Sequence, residues 1–174
     1  MKKIIVLIGA TLLACSAMSA SAASNRLPVP GENWAVTFDG PELLKVKETS
    51  YAQRYAYIAN AGKLNLSLHV NKPDCAGNAD SDNLVKCFGE KIRQNPYMVK
   101  NSLTTQVMAD GVLISYNMEM ATGNKTLRTY NLHRLFAHQG KWADLHVSVV
   151  DPAKSDLKTV SDLAESVAIV FNHP

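Results

Sequence analysis

From Leu64 to Val70 the chain alternates without a break: Leu64, Leu66, Leu68 and Val70 are apolar, while Asn65, Ser67 and His69 between them are polar. Successive side chains of a β-strand point to opposite faces, so this period of two gives a strand with one buried and one polar face. A helix would scatter the four apolar residues around its circumference. Three later segments read the same way. Val112 to Ala121 sets Val112, Ile114, Tyr116, Met118 and Met120 on one face. Thr126 to Ala137 aligns Arg128, Tyr130, Leu132, Arg134 and Phe136, and Trp142 to Val150 aligns Ala143, Leu145, Val147 and Val149. Thr122-Gly123-Asn124 and His138-Gln139-Gly140-Lys141 turn between them, and a tight Asp110-Gly111 turn joins a strand predicted at Leu103–Ala109 to the first of these three.

Ahead of this meander, Asn60-Ala61-Gly62 joins strands predicted at Tyr51–Ala59 and Lys63–Asn71. Weaker strands are expected at Trp34–Phe38 and Leu43–Thr49, after an extended lead-in over 23–33 that contains Pro28, Pro30 and Gly31. Two segments have helical spacing instead. One is capped by Asp80 or Ser81, carries Leu84, Val85, Phe88 and Ile92 on one stripe, and stops at Asn95-Pro96. The other is predicted over Leu157–Phe171, with Val160, Leu163, Ala164, Val167 and Phe171 on its face. Hairpin-linked strands with two covering helices give an α+β fold: one antiparallel sheet of about 6–8 strands in an α-β-α sandwich over 34–174. The pattern Pro28-x-Pro30-Gly31-x-x-Trp34-x-Val36-x-Phe38, the early hairpin, the mid-chain helix and the closing strand and helix together resemble the PsbP/Mog1/DcrB-like superfamily. That resemblance implies a small exported α-β-α domain used for binding or assembly.

The first 22 residues set the compartment. Lys2-Lys3, an apolar run from Ile4 to Ala14 and the small residues Ala20-Ser21-Ala22 have the three parts of an export signal. The apolar run is shorter than the about 20 residues a membrane helix needs. Cleavage after Ala22 gives a soluble periplasmic or exported protein. Leu12-Leu13-Ala14-Cys15 also resembles a lipobox, and cleavage before Cys15 would leave a lipid anchor in the bacterial envelope. Both cuts stay open here, and intact mass of the mature protein separates them.

Taking 22 residues from 174 leaves 152, a single domain by length. Lys2 and Lys3 leave with the leader, so the 18 basic residues become 16 against 15 acidic ones. Such a balance offers no electrostatic footprint for nucleic acid. Cys75 and Cys87 remain beyond the leader, and in an oxidising compartment they read as a disulfide holding the first helix to the loop before it.

Register locates the candidate site. If Gln139-Gly140 is a two-residue hairpin loop, Leu132 faces Val147, Phe136 faces Ala143, and on the other side His133 faces His146. A three-residue Thr122-Gly123-Asn124 loop would pair Tyr116 with Tyr130 and send Ser115, Asn117 and Glu119 to the His133 side. That polar face then carries Asn131, His133, Asp144, His146 and Ser148, with His69 a candidate to join it. Two histidines facing each other across a sheet, with Asp144 beside them, suit a transition metal. The competing reading is the wet face of an antiparallel sheet, free for a partner. Trp142, His138 and Lys141 around the last turn are the candidate partner-binding residues, since Trp and Tyr favour protein interfaces.

Side chains converging on a nucleophile are absent from these patterns, and no G-x-S-x-G elbow occurs in the sequence. The chain therefore reads as a non-enzymatic envelope protein without a cofactor or a membrane span. It is expected to bind another protein, in an assembly, envelope-maintenance or toxin-immunity role. The alternative is a small-ligand or metal-binding protein using His133, His146 and Asp144.

Overall fold

The computed structural model describes residues 23–51 and 54–172; the leader and Cys15 lie outside them. In chain order the elements are β1 (Ala23–Pro28), β2 (Trp34–Gly40), β3 (Leu44–Tyr51), β4 (Arg54–Ala61), β5 (Leu64–Asn71), α1 (Ser81–Arg93), β6 (Thr104–Met108), β7 (Gly111–Thr122), β8 (Lys125–His138), β9 (Lys141–Val150), α2 (Lys154–Glu165) and β10 (Ala168–Phe171). The fold is α+β. Seven strands form one antiparallel sheet in the order β3-β4-β5-β9-β8-β7-β6. The long-range β5–β9 pairing closes the gap between the early hairpin and the meander.

The expected single sheet is in fact two. β2 joins β1 and β10 in a separate three-stranded sheet, so most of the extended lead-in is a paired strand. The predicted last helix also divides. α2 ends at Glu165, where the Ser166 hydroxyl donates to the Leu163 carbonyl at 2.7 Å. Ile169 and Val170 are β-branched and pack poorly against a helical turn. They pair as β10 with Val36 and Ala35 instead, along the side of β2 away from β1. The stripe Val160, Leu163 and Ala164 is buried as expected, while Phe171 stands exposed on the strand.

Each face of the large sheet has its own core. On one, Leu66, Leu68, Leu145, Val147, Leu132 and Phe136 pack beneath α2 and the small sheet, which adds Trp34, Val36 and Phe38. On the other, Val112, Ile114, Tyr116, Leu135 and Trp142 pack beneath Leu84 and Cys87 of α1. The layers are thus α1, the large sheet, then α2 with the small sheet.

α1 forms where its sequence signals place it. The Asp80 carboxylate accepts from the Asn83 backbone N–H at 2.8 Å, and Asp82 in the first turn and Lys91 and Arg93 in the last suit the helix dipole. The Cys75–Cys87 disulfide, Cα atoms 6.1 Å apart, ties the middle of α1 to the loop leaving β5. This fixes the helix over β7 and β8, and leaves its edge above β5 and β9.

Candidate functional site

Two turns decide which residues meet under α1. Between β8 and β9, Gln139 (φ 48°) and Gly140 (φ 73°) both adopt positive φ, as a two-residue type I′ hairpin requires. His133 therefore faces His146, Leu132 faces Val147, and Phe136 faces Ala143, as the alternation predicts. Between β7 and β8 the loop is also two residues, with Gly123 at φ 58° and Thr122 paired to Lys125. The three-residue loop expected from sequence is one residue too long, and a one-residue slip exchanges the faces of a strand. Tyr116 consequently faces Asn131, Ile114 faces His133, and Ser115, Asn117 and Glu119 leave the histidine side. Glu119 pairs with Arg128 instead, at 3.0 Å.

The corrected register builds a chain of hydrogen bonds on His133, which is only 5% exposed. Its Nδ1 lies 2.9 Å from Asp144 Oδ1 and its Nε2 lies 3.2 Å from the Tyr116 hydroxyl. A carboxylate only accepts, so Nδ1–H donates to Asp144, and in the neutral ring Nε2 accepts from Tyr116. The His133 and His146 rings stack at 4.1 Å with 3° between their planes. Phe88 of α1 covers His133 with centroids 4.5 Å apart. His146 Nε2 lies 3.1 Å from Asn131 Oδ1, and the Asn131 amide donates to Thr129 Oγ1. With its oxygen facing His146, Asn131 accepts the Nε2–H and leaves Nδ1 as the unprotonated nitrogen.

Burial tunes these groups. It lowers the His146 pKa to about 4, and His133 and His69 act in the same direction against the pull of Asp144. Burial also raises the Tyr116 hydroxyl to about 12, aided by the Asp144 charge. For Asp144, desolvation pushes the carboxyl up, but the field and hydrogen bond of His133, with His146 and His69, hold it below the usual carboxylate range. Asp144 is therefore a carboxylate and His146 a neutral imidazole at neutral pH.

The expected wet face is dry here, because α1 lies across it. Beside α1 a cleft of about 210 Å³ opens, bounded by His69, Leu84, Phe88, Lys91, Trp142 and Asp144. Lys91 is held by Asp74 at 2.9 Å. Asp144 is 22% accessible, and its Oδ2 has no protein donor among the described residues. Trp142 is 2% exposed, and among the described residues its buried indole N–H has no acceptor.

The partner-binding trio is split by this arrangement. Trp142 lies inside the α1 core rather than on the surface. His138 and Lys141 point to the opposite face, where His138 meets Trp34 edge-on at 5.0 Å and Lys141 pairs with Glu32 at 3.1 Å. Together these two join the β8–β9 turn to the small sheet. On β4, Tyr55 and Tyr57 are buried, and Tyr57 donates to the Pro28 carbonyl at 2.9 Å.

His133, His146 and Asp144 do come together, but not as a converging ligand set. Both His133 nitrogens have internal partners, so a metal would have to displace one of them. Among the described residues the ligand atoms that do converge are those of Asp74, Cys75 and Cys87, and both sulfurs are spent in the disulfide. Sequence reasoning missed Tyr116, Lys91 and Asp74. Counting Gly123-Asn124 as a two-residue turn would have found Tyr116.

No protein-family model and no curated protein sequence matches the chain. The resemblance to the PsbP/Mog1/DcrB-like superfamily thus has no family match behind it. A solved structure with a similar backbone is LpqN, described as involved in cell envelope biogenesis of Mycobacterium tuberculosis. It shares 12% identity at a TM-score of 0.43, over 89% of this chain and 87% of that one. The likeness carries no residue role to this chain. Among the described residues no helix is long and apolar enough to cross a membrane.

Proposed function

We propose that this chain is an exported, non-enzymatic binding protein of the cell envelope, and that the cleft between α1 and strands β5 and β9 is its site for another protein. The observation that carries this reading is the cleft itself. It presents an ionised carboxylate, Asp144, on an apolar wall, under a helix fixed by a disulfide. Groups of this kind fix orientation in binding sites that are otherwise apolar. The histidines behind the wall are occupied by internal hydrogen bonds, which suits support of Asp144 better than proton transfer to a substrate.

A free small ligand in the same cleft is the second reading, favoured by its volume of about 210 Å³. An assembly, maintenance or toxin-immunity role is compatible with either. The test is recovery of a stoichiometric partner from envelope extract by the wild type and by Asn71→Trp, which adds an indole to a residue lining the cleft. The expected result is a partner held by the wild type and lost from a folded Asn71→Trp protein. Equal recovery by both would place the interface elsewhere.

A further inference from the structure

We propose that the group received by the cleft is a primary ammonium on an aliphatic stem, seated between the Phe88 and Trp142 rings with its charge against Asp144. The inference rests on the cleft being the binding site and names what enters it.

Charge comes first. Among the described residues the lining carries two carboxylates, Asp74 and Asp144, and one ammonium, Lys91, with His69 beside them. Lys91 and Asp74 neutralise each other at 2.9 Å. Asp144 is left with one oxygen held by His133 and the other without a protein donor among the described residues. A carboxylate in a partly dry pocket gains most from a donor that is itself charged.

Shape and surface agree with this. Phe88 and Trp142 border the same cleft, and aromatic faces attract cations through their quadrupole. Leu84 offers apolar contact for a methylene stem. The volume suits one side chain or a small amine rather than a cofactor. Among the described residues an anion would meet Asp144 with no buried cation to offset it, since Lys91 is already paired and more than half exposed. A metal ion would waste the aromatic wall. The ammonium could arrive on a lysine side chain of a partner protein or as a free amine, and both share this chemistry.

The protein contains two tryptophans, so an amide correlation spectrum shows two indole signals, and Trp142→Phe assigns them. The experiment titrates the full mature protein with n-butylammonium, n-butanol and n-butyrate. A saturable shift of the Trp142 signal is expected with the cation, and little or none with the alcohol or the anion. Asp144→Asn should weaken the cation's binding about tenfold or more, as loss of a charged hydrogen bond implies. Because Asp144→Asn disturbs His133, Phe88→Leu serves as a second variant, keeping apolar volume while removing the π face. It should weaken the cation several-fold and leave the alcohol unchanged.

Equal shifts with all three probes, or a preference for butyrate, would overturn the ammonium assignment and leave the cleft a binding site. No Trp142 shift with any probe would overturn it as well, whereas partner loss in Asn71→Trp tests the cleft independently. Lysine acetylation of the extract separates the sources once the cation shift is seen. Loss of the partner assigns a protein lysine, and retention assigns a free amine.

Discussion

At the scale of single residues, the neutral His146 imidazole makes an acid-labile element of the site. Its folded pKa of about 4 lies below the ordinary histidine value of 6.5, so the unfolded chain takes up a proton that the folded one refuses. Its contribution to stability is complete above pH 6.5 and is lost as pH falls towards 4 and below, on the order of 3 kcal/mol in total. Asp144, with a folded pKa below 3.8, adds a further loss at lower pH in the same direction. His146→Gln should flatten the decline between pH 6.5 and 4.5 in urea unfolding. An unchanged slope would assign the acid sensitivity to other groups. The pairing of His133 with His146 was legible in the sequence, because alternation and one turn fix it. Its partner Tyr116 was not, because a single residue in the Gly123-Asn124 turn decides which face Tyr116 occupies. Packing of α1 over the histidines was not legible either, since local spacing says which helix face is apolar and not which sheet face it covers.

At the scale of elements, α1 is the part whose position matters most. Its stripe of Leu84, Cys87 and Phe88 covers β7 and β8, and the disulfide fixes its edge above the cleft. The Cys75→Ser/Cys87→Ser double variant should lose about 3 kcal/mol in urea unfolding from the chain-entropy of the opened loop. Its cleft should also bind more weakly, because Cys87 borders it. A stability unchanged within error would mean that packing alone holds the helix. The boundaries of α1 and of β5 were readable, each from a cap, a stop or a strict alternation. β10 was not, because Val167 and Phe171 continue the helical spacing of α2, and only the unpaired side of β2 reveals that a strand is wanted there. The small sheet was hidden for the same reason, since strands that close it come from opposite ends of the described chain.

For the whole molecule, the two cores divide the labour. Among the described residues the buried core beneath α2 and the small sheet holds one charged side chain, Arg134, which pairs with Asp110 at the β6–β7 turn. The face beneath α1 combines an apolar half with the polar network behind the cleft. Export is part of the proposal, and the mature protein should begin at Ala23 by intact mass; a mass beginning at a lipid-modified Cys15 would replace the soluble form with an anchored one. The central claim is that the α1 cleft is the face that meets a partner. Site-specific photo-crosslinking tests it most directly, with a benzophenone side chain placed at Lys91 on the cleft rim or at Val107, which is 81% exposed on the distant edge strand β6. A single crosslinked species from position 91, suppressed by Asn71→Trp and absent from position 107, is the predicted result. Crosslinking from position 107 alone would contradict it.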